Sequence, residues 1–168
     1  MSPSSLSLAV ADPARQLLRH TLATLAYRGG KAIRGAPHTF AQFRVADQTR
    51  APGEILAHIG DLMDWALSIS QGQQRWRDSS PLPWDAEIRR FFTALGAFDA
   101  YLASGNPLLE PAEKLFQGPV SDAFTHVGQI AMLRRLAGVP VRGENYHRAH
   151  IERGRVGPDQ APPVREFD

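Results

Sequence analysis

Apolar residues return every three or four positions over four stretches of the chain, and the segments between them are rich in Gly, Pro and polar side chains. That spacing lays one apolar face of an α-helix against a core. The first stretch has Asp12 as a cap, Pro13 at the first helical position, and Leu18, Leu22 and Leu25 as its stripe. Gly29 and Gly30 are expected to end it. Residues 31–37 read as a loop, and residues 38–50 are mixed, with room for a turn or short helix. The second helix is predicted from about Ala51 to Ser70 on Ile55, Ile59, Leu62, Met63, Ala66 and Ile69. Residues 71–81 are polar and read as a connection. The third helix opens at Pro83 and turns Ile88, Phe91, Phe92, Leu95, Phe98 and Leu102 inward; Ser104, Gly105, Asn106 and Pro107 end it. Residues 108–116 admit one or two turns. Gly118 and Pro119 restart the chain as a fourth helix, carrying Phe124, Val127, Ile130, Ala131 and Leu133, and Gly138 and Pro140 stop it.

Residues 141–168 change character, being rich in Arg, Gly, Pro and polar residues. Tyr146 to Ile151 has the makings of one helical turn, and the paired breakers Gly157, Pro158 and Pro162, Pro163 forbid anything longer. No run alternates as a strand would. The fold class expected is all-α: a four-helix bundle in a single domain, helical over about 12–138, with a mostly irregular C-terminal extension over 139–168.

Composition removes several function classes. An apolar fraction of 43% supports a real core. The 19 basic and 17 acidic residues nearly cancel and are scattered, so no nucleic-acid partner is expected. Without cysteine there is no disulfide, thiolate metal site or Cys nucleophile. The first ten residues lack the basic start and long apolar run of a signal peptide, and no segment approaches the ~20 apolar residues of a membrane span. A cytoplasmic protein without a membrane partner is the expectation.

Candidate chemistry sits inside the fourth helical pattern. Asp122 and His126 are four residues apart, one above the other on one face. His58 shares its face of the second helix with Ile55, Leu62 and Trp65. Bundles hold metals through such residues on facing helices, and two imidazoles with one carboxylate suit Zn, Ni, Fe or Mn while leaving positions open. Each residue also has a plainer reading. A His on an apolar face is often a hydrogen-bonded core residue, and Asp122 close after Pro119 suits the positive end of a helix dipole. Asp61 and Gln129, each three residues after a histidine, are candidate acceptors for the second ring N–H, as is Glu54 one turn before His58. In the extension, His147 and His150 share a face if their turn is helical, and are candidates for a lid or a substrate contact; surface residues are the alternative. His20 and His38 have no partner by spacing.

The run Thr125, His126, Val127, Gly128, Gln129, Ile130 resembles the His-x-Gly-Gln-Ile signature of the DinB-like superfamily, which includes YfiT-like metal-dependent hydrolases and thiol-dependent S-transferases. The segment from Pro52 to His58, followed by Ile59 and Asp61, is similar to that family's second-helix segment, which ends in a ligand histidine. The resemblance spans about Asp12 to Gly138 and is specific in these two segments. It implies a four-helix bundle, often a homodimer, with three ligand histidines. His58 and His126 match two of them; the third position falls on Asp122, a departure that makes a bound metal less Lewis-acidic. The implied cofactor is a divalent transition metal, zinc or nickel foremost. The implied function is metal-dependent hydrolysis, or S-transfer of a thiol, on a small-molecule substrate. The alternative is a non-catalytic dimeric helical-bundle protein, for binding or stress, with a vestigial metal site.

Overall fold

The computed structural model describes residues 12–167. The reading of the first ten residues as a poor signal peptide lies outside them. Four long helices and one short one carry the fold: α1 (Pro13–Ile33), α2 (Pro52–Ser70), α3 (Trp84–Ala103), the short α4 (Ala112–Leu115) and α5 (Ser121–Leu136).

Asp12 caps α1, its Oδ1 accepting from the Ala14 and Arg15 amides at 3.0 and 3.2 Å. Contrary to expectation, α1 runs through Gly29 and Gly30 to Ile33. The glycines serve close approach, not termination. A Cβ on Gly29 would lie 2.6 Å from Phe91 Cζ, and one on Gly30 would lie 3.4 Å from Phe92 Cζ. The helix stops one turn later, where Arg34 is extended and Gly35 takes φ +67°. A single 3₁₀ turn, His38–Gln42, buries Phe40 before α2 begins.

α2 starts at Pro52, with Glu54 Oε2 accepting from the Ala51 amide at 2.7 Å. α3 follows Pro83 and places Phe91, Leu95 and Phe98 in full burial. The fourth helix does not restart at Gly118 and Pro119. α4 passes into a π-helical turn, Phe116–Val120, and that turn passes directly into α5. Pro119 has no N–H to offer the ladder. The widened turn lets the Ser121 amide reach back to the Phe116 carbonyl, and Ser121 Oγ donates to the same oxygen at 2.7 Å. Asp122 therefore sits in the first turn of α5, on helical backbone continuous with the π turn.

α1 and α2 each pack on both α3 and α5, so the order around the bundle is α1, α3, α2, α5. One cluster fills the centre, including Leu22, Leu25, Ile59, Met63, Phe91 and Ile130. The helical part is all-α, as the spacing predicts.

The extension is mostly irregular but firmly attached to α1. Tyr27 donates to Glu144 Oε1 at 2.6 Å, and Lys31 Nζ lies 2.7 Å from both Glu144 Oε2 and Glu166 Oε1. Two short strands, β1 (Gly143–Glu144) and β2 (Glu166–Phe167), pair antiparallel there, too short for any alternation to show in the sequence. The turn at Tyr146–Arg148 is 3₁₀ and shorter than predicted. The Arg134 guanidinium fastens the end of α5 to that of α1, donating to the Val139, Ala32 and Arg34 carbonyls. Among the described residues, no helix is long and apolar enough to cross a membrane.

Candidate metal centre

α2 and α5 are neighbours, and their packing brings His58, Asp122 and His126 together. One potential ligand atom from each lies within 4.8 Å of the other two. His58 Nε2 is 3.6 Å from Asp122 Oδ2, and His126 Nε2 is 3.4 Å from Asp122 Oδ1. Both separations exceed the ~2.7–3.2 Å of a good N–H···O bond. The two rings meet edge to face, with centroids 4.7 Å apart. Both Nε2 atoms thus lie close to the same carboxylate, beyond the length of a good hydrogen bond.

Second contacts orient the rings. His126 is buried, and its Nδ1 is 2.9 Å from Gln129 Oε1. An amide oxygen there makes Nδ1 the N–H nitrogen and leaves Nε2 with its lone pair beside Asp122. His58 is half-buried and packs edge to face on Trp76, which packs on Trp65 in the same way. Burial, then His126 and Arg50, push the His58 pKa below the ordinary histidine value, with Asp122 opposing. A neutral His58 is what ligation requires. The Asp122 side chain is 47% exposed, so the cluster opens to solvent on the carboxylate side.

Two of the expected acceptors are occupied elsewhere. Asp61 is buried and accepts from the Ser79 amide at 2.9 Å, from Ser79 Oγ at 2.6 Å and from Arg90, tying residues 71–83 to α2 and α3. Burial alone would raise its pKa, but these bonds outweigh it and hold the carboxyl below the usual range. Glu54 is taken by the Ala51 amide and by Arg44 at 2.7 Å. His147 and His150 are exposed on the extension that packs along α1, diagonal to α2, and are not part of the cluster. His20 and His38 are exposed.

Spacing did not point to Trp76, Thr49 or Arg50, which arrive on connecting segments. A cleft of about 480 Å³ opens beside His58, and a second of about 720 Å³ beside His126. Thr49 and Arg50 line both and form the rim between them.

The fold and site define an all-α bundle with a two-histidine, one-carboxylate group that could bind a metal ion. No family model, curated protein or solved structure matches the chain.

Proposed function

We propose that this chain is a metal-binding protein of the DinB-like kind, holding zinc or nickel at His58, Asp122 and His126 and carrying out hydrolysis or thiol transfer on a small molecule. The observation that supports it most is the convergence of the two Nε2 atoms on the Asp122 carboxylate at distances too long for hydrogen bonds and short enough for one shared ion. A divalent ion in such a site acidifies water or a thiol at its open positions, so that the nucleophile is available near neutral pH.

The chain's own residues do the rest. Gln129 holds the His126 tautomer. Trp76 walls one side of His58. Asp122, the most exposed of the three, faces the side from which a substrate can approach.

The test begins with metal analysis of protein purified without chelator, followed by zinc titration. One equivalent is expected, with tight binding lost in His58→Ala. Zinc-dependent turnover is then sought with small thiols and an electrophilic acceptor such as 1-chloro-2,4-dinitrobenzene, and with ester and amide substrates. If no metal co-purifies and none can be loaded, the reading fails.

A further inference from the structure

The trough beside His126 differs from its neighbour in one respect. Its wall is mostly apolar, with Ile55, Met132 and Leu133 beside Thr49, Thr125, His126 and Gln129, and its only formally charged lining residue is Arg50. The other cleft mixes Arg44 and Arg50 with Asp47, Glu54, Asp61 and Asp78.

The polar groups of the trough wall are largely spoken for. Thr49 Oγ1 donates to the Ala46 carbonyl at 2.7 Å, and Thr125 Oγ1 to the Asp122 carbonyl at 2.7 Å. Of the carboxylates near Arg50 along the chain, Glu54, four residues on, is paired with Arg44, and Asp47, three residues back, makes no ion pair with Arg50. Among the described residues Arg50 makes no hydrogen bond or ion pair, and its charge is felt by Glu54 and His58. A guanidinium left in this state presents a planar fork of donors suited to a carboxylate.

Gly128 adds an independent observation. It lies mid-helix in α5 and lines the trough, and a Cβ built on it would meet no atom within 4 Å. Glycine there is unfavourable for the helix by about 1 kcal/mol relative to Ala, and no neighbour demands it. A large side chain there would occupy the trough that Gly128 lines next to His126. The volume is within the ~300–1,000 Å³ of small-molecule sites.

We propose that this trough is the substrate subsite, and that it takes molecules with an apolar body and a single carboxylate, the carboxylate pairing with Arg50 and the body lying over Gly128. The assignment deepens the reading of the metal centre and rests on it for its chemical purpose, but it is testable separately.

The probes are 4-phenylbutyrate and 4-phenylbutan-1-ol, which share a body and differ in charge. They are titrated into chelator-treated protein, so that the carboxylate gains nothing from a metal, and followed by ¹⁵N amide shifts. Phenylbutyrate is expected to bind about tenfold more tightly than the alcohol, as one charge-assisted contact allows. The shifts should fall on Gly128, Gln129 and Met132. Arg50→Gln should erase the preference and leave alcohol binding unchanged. Gly128→Leu should weaken both probes while leaving the helix intact. Equal binding of the two probes, a preference that survives Arg50→Gln, or shifts confined to another face would each overturn the proposal. Zinc titration of the same samples separates the two readings. A normal zinc response without the carboxylate preference removes the subsite alone, whereas the preference without a zinc response upholds the subsite and removes the metal centre.

Discussion

At the scale of single residues, the site depends on which nitrogen of each histidine keeps its lone pair. Gln129 Oε1, 2.9 Å from His126 Nδ1, decides this for His126. Gln129→Leu removes the acceptor without disturbing the core, because Gln129 is exposed. Zinc affinity should fall about 10- to 100-fold, the usual range for such partners, with an unchanged melting temperature of the metal-free protein. His58 sets the pH dependence. Its pKa is depressed in the folded state, so its stabilising contribution is present above the unfolded value of about 6.5 and is lost as pH falls through the lower folded value. Metal-free protein should therefore lose stability on acidification through that window, and His58→Gln should flatten that part of the profile. Denaturant titrations at several pH values check this. Asp122, His126 and His58 were legible because helical spacing places them on defined faces. Arg50 and Trp76 were not, since they reach the site on connecting segments that carry no period. Asp61 misled for a related reason: its spacing from His58 is right, but its true partners, Ser79 and Arg90, lie on another segment and another helix.

At the scale of elements, the four helical stretches were legible from their apolar period, and their ends were less so. A glycine pair reads the same in sequence whether it ends a helix or admits a neighbour. Gly29 and Gly30 admit the rings of Phe91 and Phe92, and only the packing of α3 on α1 reveals it. This makes opposite predictions for two helical glycines. Gly29→Ala gains helix propensity of about 1 kcal/mol but drives a methyl to 2.6 Å from a fully buried ring; with overpacking at about 1–3 kcal/mol the net effect should be destabilising. Gly96→Ala, in α3 with no atom within 4 Å of its Cβ position, should stabilise by up to about 1 kcal/mol. Urea unfolding of the two variants measures the difference in sign. Gly118 and Pro119 hid in the same way. A breaker pair reads as a restart, yet the backbone absorbs it as a π turn that carries α4 into α5 just before Asp122.

At the scale of the whole molecule, the candidate metal centre and the extension lie on different parts of the bundle. The centre is built by α2 and α5, whereas the extension is held by α1 through a buried carboxylate, Glu144, shared by Tyr27 and Lys31. Burial and then the bond to Glu144 raise the Tyr27 pKa well above that of a free phenol, so its hydroxyl stays a neutral donor. Glu144→Ala strands the Tyr27 hydroxyl and leaves Lys31 with Glu166 alone. The expected loss is about 2 kcal/mol or more, below the full penalty of an unpaired buried charge because Glu166 remains. The extension should loosen first, with faster hydrogen exchange at the Asn145 amide, which is bonded to the Arg165 carbonyl. Zinc affinity should stay within about twofold of the original, since sites without shared partners act nearly independently. The same experiment judges the extension's histidines. If zinc affinity falls together with the exchange protection, and His147→Ala or His150→Ala reproduces the fall, the extension closes over the centre in solution. If affinity holds while the extension opens, α2 and α5 complete the site without it.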